Sequence, residues 1–330
     1  MKTIAFLALE NCMESSISGP YDILSLASSQ WAARFSDKGE NLFRLTIVTG
    51  DRRPVTCFNG MKITPHLGTD DCRDPDIIFI PVVFGDLEPI LSDRCLVSWV
   101  RDRNRQGTII CAVCAGVFLV AQTGLLDGRM ATTHWNLAEA FQKRYPDVIL
   151  KKERMIVDEG DIITAGGVTA FIDLSLYMAG RFGSLELAST LSRMLLIDPA
   201  RRLQTPYFEY RFNTSHQDES ILKAQHWMEE SMASPLTVSM LARKASLGER
   251  TFARRFKKAT GDTPLEYLQY LRIGKARTLL ETTDEPVETI TYETGYEDAS
   301  SFRRLFKRAT GLSPTAYRKK FGLNGKPYED

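Results

Sequence analysis

The 330-residue chain is first defined by what it lacks. It holds no run of about 18 uninterrupted apolar residues, so no segment is expected to span a bilayer as a helix. The opening Met1-Lys2-Thr3 followed by Ile4 to Leu9 carries one positive charge and about six apolar residues, fewer than the ~7–15 of a secretory h-region. It reads instead as a first buried strand. There are only four histidines, none at ligand spacing to a cysteine pair, so neither a zinc site nor any other cofactor is expected. No cysteine falls beyond position 114. The six at 12, 57, 72, 95, 111 and 114 sit in apolar or mixed stretches rather than at knot-like spacings, which suits a reducing compartment. These absences imply a cytoplasmic, globular chain with no membrane partner.

Net charge is also nearly absent, at +1, but its two contributions are unevenly placed. Residues 221–330 hold 19 Lys and Arg against 14 Asp and Glu, whereas the preceding residues hold 23 against 27. The polar stretch Asn213 to Asp218 lies at the change of sign. The expected organisation is a domain over 1–200, a linker over 201–220 and a basic domain over 221–330. A basic module behind an acidic one points to nucleic acid as the partner of the former.

What is present in the basic module is a repeat. Thr251-Phe252-Ala253-Arg254-Arg255-Phe256-Lys257-Lys258-Ala259-Thr260-Gly261 recurs 50 positions later as Ser301-Phe302-Arg303-Arg304-Leu305-Phe306-Lys307-Arg308-Ala309-Thr310-Gly311. Pro264 and Pro314, then Tyr267 and Tyr317, keep the same offset. This is a duplicated unit, with too few copies for a solenoid. On a helix turning 100° per residue, Phe252, Phe256 and Ala259 fall within about 60° of one another, and Arg250, Arg254 and Lys257 lie opposite. In the second copy Phe302, Phe306 and Ala309 face inward, and Ser300, Arg303, Arg304 and Lys307 face outward. Each basic helix follows a short amphipathic one, Val238 to Ala245 or Val287 to Thr294, across a tight turn. Helix, turn and basic helix make a helix-turn-helix unit, here twice. A spacer helix over Leu265 to Glu281 would be about 26 Å long. That length is compatible with two helices reading one face of a duplex whose major-groove turns lie roughly 34 Å apart.

Residues 221–322 resemble the AraC/XylS family of transcription factors. The match rests on Leu241-Ala242, Arg254 to Lys257 with Gly261 and Pro264, then Gly295-Tyr296, Ser301-Phe302, Phe306-Lys307, Gly311, Pro314 and Tyr317-Arg318. The resemblance implies that the seven outward residues, Arg250, Arg254, Lys257, Ser300, Arg303, Arg304 and Lys307, meet a double-stranded operator. Ala253 departs from the longer polar residue common at its position.

In the first two hundred residues, apolar runs at Ile4–Leu9, Leu45–Val48, Ile77–Val83, Thr108–Val113 and Ile162–Ala165 read as strands. Helical patterns such as Ile17–Arg34 and Leu137–Tyr145 lie between them. This alternation predicts an α/β sandwich with a mainly parallel sheet. The strand Thr108 to Val113 runs through Cys114-Ala115-Gly116 into an apolar helix, so Cys114 sits at a strand-to-helix turn. Two readings stand: a nucleophile whose thiol a helix N-terminus activates, or a small cysteine filling a tight turn. Cys111-Ala112-Val113-Cys114 has redox spacing, but Cys111 falls inside the strand.

The region resembles the flavodoxin-like, class I glutamine amidotransferase-like (PfpI-type) domain, and together with the tail the chain resembles the GlxA family of regulators. The residues that carry this are Cys114-Ala115-Gly116, Gly124 to Arg129 with Thr132-Thr133-His134-Trp135, and Thr164 to Val168 with Asp173. Cys114 falls at the nucleophile position of catalytic relatives, and His134 matches their partner histidine. Two departures argue against catalysis. The acidic residue expected near Ser16, aligned from Gly19-Pro20-Tyr21-Asp22, is absent, and Glu14 lies two positions off. Val82-Val83-Phe84 before Gly85 replaces the glycines that supply oxyanion amides, worth about 3 kcal/mol of barrier. The resemblance thus implies a non-enzymatic regulator that senses a small, amino-acid-like or nitrogenous metabolite and dimerises, with Cys114, His134, Phe84 and Trp135 at the pocket. RNA polymerase is a further candidate partner. The alternative is a thiol-dependent PfpI-type hydrolase or lyase fused to a DNA-binding domain.

Overall fold

The computed structural model describes residues 1–323, so residues 324–330 of the expected C-terminal domain lie outside the described residues. The chain forms two units, one over Met1–Gln204 and the other from Thr205 onward. Among the described residues no helix is long and apolar enough to cross a membrane.

The first unit is built on strand β1 (Lys2–Leu7), whose Ile4 to Leu7 are buried on both faces. A continuous apolar run is the mark of a parallel strand covered by helices on either side. After α1 (Ser15–Arg34), β2 (Phe43–Thr49) pairs parallel to β1. The short β3 (Val55–Thr56) and β4 (Lys62–Ile63) form a separate antiparallel hairpin, and β5 (Leu67–Gly68) extends the sheet beyond β2. On the other side of β1 comes β6 (Ile77–Ile80), with Phe6 and Phe79 opposite each other at 5.2 Å between rings. Helices α2 (Glu88–Leu91) and α3 (Arg94–Arg105) lead to β7 (Ile109–Val113), followed by α4 (Val117–Gln122).

A second small pair, β8 (Met130–Ala131) and β9 (Ile149–Leu150), flanks α5 (Ala138–Arg144). The sheet closes with β10 (Ile156–Asp158) antiparallel to β11 (Ile162–Ala165), and α6 (Ala170–Phe182) and α7 (Leu185–Met194) complete the unit. Strand order is β10-β11-β7-β6-β1-β2-β5, parallel except at the β10 edge. This is the mainly parallel α/β sandwich expected. The run Ile77–Val83 makes a strand only to Ile80, because Pro81 has no N–H to give the ladder and the Val82 N–H turns to Ser16 Oγ at 3.1 Å.

The second unit is all helix: α8 (Glu219–Ser231), α9 (Val238–Lys244), α10 (Glu249–Thr260), α11 (Pro264–Thr282), α12 (Val287–Glu293), α13 (Ala299–Thr310) and α14 (Pro314–Phe321). Two apolar clusters divide it. Ile221, Met228, Leu241, Phe252 and Phe256 pack with Tyr267 to Leu271 from the first half of α11. Ile290, Tyr296, Phe302, Phe306 and Tyr317 pack with Ile273 to Leu280 from its second half. Each cluster has the same aromatic stack: Phe256 meets Tyr267 at 5.2 Å and 86°, and Phe306 meets Tyr317 at 5.3 Å and 86°. Both basic helices stop on a left-handed glycine, Gly261 at φ +90° and Gly311 at φ +75°, where a side chain would be strained.

Candidate nucleic-acid interface and nucleophile elbow

In α10, Phe252 and Phe256 are wholly buried while Arg250, Arg254 and Lys257 are exposed. In α13, Phe302 and Phe306 are wholly buried while Ser300, Arg303, Arg304 and Lys307 are exposed. The burial pattern matches the two wheels drawn from the sequence. Arg250, Arg254, Lys257, Arg304 and Lys307 form no salt bridge among the described residues. Arg303 is tied to Glu288 of α12 at 2.5 Å. Arg255 turns sideways to Asp218, the N-cap of α8, at 2.6 Å, and this pairing holds the Asp218 carboxyl below its ordinary range.

The turns before the two basic helices differ. Gly248 caps α10 with no side-chain bond, whereas Asp298 accepts the Ser300 and Ser301 N–H groups at 3.1 and 2.8 Å. Sequence reasoning passed over Asp298, although an Asp just before a helical pattern is an N-cap signal. A pair of outward, cationic helix faces within one helical unit can meet phosphates and guanine edges.

In the first unit, Cys114 stands at the end of β7 on the carboxyl edge of the sheet, with φ +55°. A non-glycine residue there is a strained elbow, held by a hydrogen bond from Thr133 Oγ1 to the Cys114 carbonyl at 2.6 Å. The turn is so tight that a Cβ on Gly116 would lie 2.3 Å from the Pro81 oxygen. The thiol itself is buried. Burial pushes it up to about 12, and the Ala115 N–H at the helix start only partly offsets this. It is therefore a protonated thiol at neutral pH. Cys111 is wholly buried in β7 and its thiol is likewise pushed up by burial.

The other residues expected at a pocket lie in two places, His134 and Trp135 beside Thr133, and Phe84 beyond the end of β6. His134 follows Thr133, and its Nδ1 accepts the Asn136 N–H at 3.1 Å, with the Trp135 ring 5.4 Å away. Trp135 is half-buried. Phe84 packs on Phe58 of the β3–β4 hairpin at 4.5 Å. Ser16 occupies the place expected of a carboxylate, and its hydroxyl is spent: it donates to Met13 O at 2.7 Å and accepts from Val82 N. The Phe84 N–H donates to Asn11 O at 3.0 Å. Two amides that follow β6 are thus committed inside the protein and cannot hold an oxyanion.

Sequence reasoning also missed Gln204. It is 1% exposed, and its Oε1 accepts the Trp135 N–H at 3.1 Å while its Nε2 lies 2.9–3.1 Å from Thr132 Oγ1 and the Thr133, Lys152 and Arg154 carbonyls. Nothing in its local sequence marks it.

A model described as the DJ-1/PfpI family matches residues 2–179, and one described as a helix-turn-helix domain matches residues 241–320. The HTH-type transcriptional regulator CdhR of Pseudomonas aeruginosa is 31% identical over 278 residues, covering 83% of this chain and 81% of that one. The HTH-type transcriptional regulator GlxA of Rhizobium meliloti is 30% identical over 227 residues, 68% of this chain and 69% of that one. Isonitrile hydratase of Pseudomonas putida is 30% identical over 200 residues, 60% of this chain and 79% of that one.

Proposed function

We propose a function from one premise: the chain belongs to the DJ-1/PfpI family and carries an AraC-type helix-turn-helix domain behind it. It is a DNA-binding transcriptional regulator. The observation that carries this is the doubled cationic face, in which Arg250, Arg254, Lys257, Arg304 and Lys307 stand exposed above two buried phenylalanine pairs. Ser300 and Arg303 complete the surface offered to a double-stranded operator. The N-terminal domain over residues 1–200 senses a small metabolite of amino-acid-like or nitrogenous type and dimerises, residues 201–220 link it to the tail, and residues 221–330 read the operator. RNA polymerase is a further partner.

A concave site at the carboxyl edge of a parallel sheet is a usual place for a ligand; Cys114 follows β7 at that edge, and the residues proposed to line the site are Cys114, His134, Phe84 and Trp135. Cys114 serves there as a packing residue. A thiol held protonated, with neighbouring amides committed elsewhere, supports a pocket that binds without turning over.

The test is the salt dependence of duplex binding by the full chain. Displaced counterions should make affinity fall with a log–log slope near −0.9 per phosphate contacted. A flat response between low and moderate salt would sink the reading. Sedimentation at micromolar concentration tests the dimer, and a thermal-shift screen of small metabolites tests the sensor.

A second reading, a thiol-dependent hydrolase or lyase, is favoured by the strained Cys114 elbow and by the likeness to isonitrile hydratase. Under it, Cys114→Ser abolishes a measurable turnover; under the sensor reading there is none to lose and duplex binding is kept.

A further inference from the structure

Within the second unit, the chain ahead of α8 lies on the helices that follow it. Thr205 rests against Gly311, the glycine that ends α13. The Tyr207 ring meets Phe321 of α14 edge-on at 5.2 Å, and Lys320 Nζ stands 5.5 Å from its centre. Arg277, in the second half of α11, donates to the Phe208 carbonyl and, at 3.4 Å, to that of Pro206.

Further along, the same stretch reaches the first copy. Tyr210 stacks on Tyr270 of α11 with ring centroids 4.0 Å apart, and its hydroxyl donates to Asp262, the residue after Gly261 at the end of α10. Phe212 packs on Tyr267 at 4.7 Å. Asn213 Nδ2 donates to Ala259 O in the last turn of α10 at 2.9 Å, and the Asn213 carbonyl accepts from the buried Gln225 of α8 at 3.0 Å. Residues 205–213 therefore form a strap that touches equivalent places in the two copies, the glycine-capped ends of the two basic helices.

The apolar clusters of the two copies are separate and divide α11 between them. That helix, at 19 residues, is about 28 Å long, and a rod of this length can bend and so let the groups at its ends turn. Gly295, packed against Met232 O, also joins the copies. The strap adds a hold at the ends of the basic helices themselves, and its two anchors on α11, Tyr270 and Arg277, lie two turns apart on one side of the helix. We propose that residues 205–213 brace α10 against α13, with Tyr210 and Arg277 as positioning residues, so that the chain binds the two DNA segments read by these helices at one spacing only. The proposal rests on the regulator reading given above. One more base pair between the segments moves one of them by about 3.4 Å and turns it by about 35°. Braced helices cannot follow that displacement, and loosely joined ones can.

The probe is a duplex recovered from a random-sequence pool with the full-length chain, its two read segments mapped by single base changes. It is compared with the same duplex carrying one base pair more or one fewer between the segments. The wild type should lose about 10-fold or more in affinity on either change, a loss usual for one misread base pair. Tyr210→Ala and Arg277→Met should each shrink that penalty by about 3-fold or more, the weight of one modest contact. Base preferences inside each segment should stay as they are, which a general loss of structure would not allow. Tyr210→Phe, which keeps the ring for the stack, should restore part of the penalty. A wild type that binds the three duplexes alike overturns the proposal. So does a folded Tyr210→Ala or Arg277→Met chain with the full penalty, or, if neither folds, an undiminished penalty in Tyr207→Ala at the other end of the strap. A chain that retains no duplex fails as a regulator and takes the brace with it, whereas one that binds without regard to spacing keeps the regulator and loses the brace.

Discussion

Gly248 opens the first basic helix, α10, with extended backbone and no side-chain oxygen to offer, whereas Asp298 opens the second, α13, by accepting two N–H groups. Between the helices of each copy the contrast continues: Arg303 pairs with Glu288, while the corresponding residues of the first copy, Ala253 and Ser239, bear no charge. Underneath, the copies agree to within 0.1 Å in their Phe–Phe and Phe–Tyr ring spacings. After duplication, close packing left the core no freedom to drift, and the solvated rim retained it. The two heads are therefore one fold with two surfaces, and each difference can be tested by moving it.

The largest effect should come from the shared part. Phe252→Ala and Phe302→Ala each remove a wholly buried ring, and each should cost about 3–5 kcal/mol. Phe302 also packs on Tyr296 at 5.4 Å, so its loss should be greater by about 0.5–1.5 kcal/mol. Hydrogen exchange resolved to the amides of α10 and α13 separates the copies. Equal losses would mean that the Tyr296 contact contributes nothing.

Next comes reading of the operator. Arg254→Ala and Arg304→Ala should each weaken binding by about 1–3 kcal/mol, at different halves of the site. Footprinting with single base changes maps each loss. If both substitutions weaken every sequence alike, the two arginines touch phosphate only.

The caps give a smaller, pH-dependent contrast. Hydrogen bonds from Ser301, and then from Ser300, hold the Asp298 carboxyl below its ordinary range. A depressed folded-state pKa stabilises above the unfolded carboxylate range, and the contribution is lost as pH falls through the folded value. Acidification should therefore loosen the first turn of α13 more than that of α10, which has no carboxylate cap and only Glu249 within its first turn. Gly248→Asp should transfer the same acid sensitivity to α10 and raise its protection at neutral pH. Protection factors from exchange measured at neutral pH and again below the ordinary carboxylate range check both; matching behaviour of the two helices in the wild type would refute the cap argument.

These contrasts also show what a sequence can carry. The strand Ile4–Leu7 was legible because burial on both faces leaves an unbroken apolar run, and the two helix-turn-helix units because a helix with one buried face has a period. The place of Cys114 was legible from strand, small residues and helix in succession; its protonation was not, since that depends on burial contributed by distant segments. Strands as short as Val55–Thr56 and Lys62–Ile63 have no room for a pattern. Gln204 is polar in a polar stretch, and its burial is set by carbonyls 50 to 71 residues away. Ser16 could be read only as a missing acid, because its two bonds, to Met13 and Val82, emerge when the strand and helix meet.

The smallest effect tests the ion pair found in one copy only. Glu288 and Arg303 are 60% and 53% exposed in their side chains, so the pair should hold about 0.2–1 kcal/mol of stability and lose most of it to salt. Its larger consequence is for DNA. A carboxylate at 2.5 Å neutralises Arg303 and repels phosphate, which should place the second head, with the same number of arginines in its helix as the first, at a disadvantage in non-specific binding. Glu288→Gln frees that cation. Affinity for mixed-sequence duplex should rise, and the log–log salt slope should steepen by up to about 1, the amount for one more phosphate neutralised. Placing both charges in the first copy, as Ser239→Glu with Ala253→Arg, should add a paired arginine there without steepening the slope. If Glu288→Gln leaves the slope unchanged, Arg303 does not reach the backbone, and the difference between the heads lies in their caps alone.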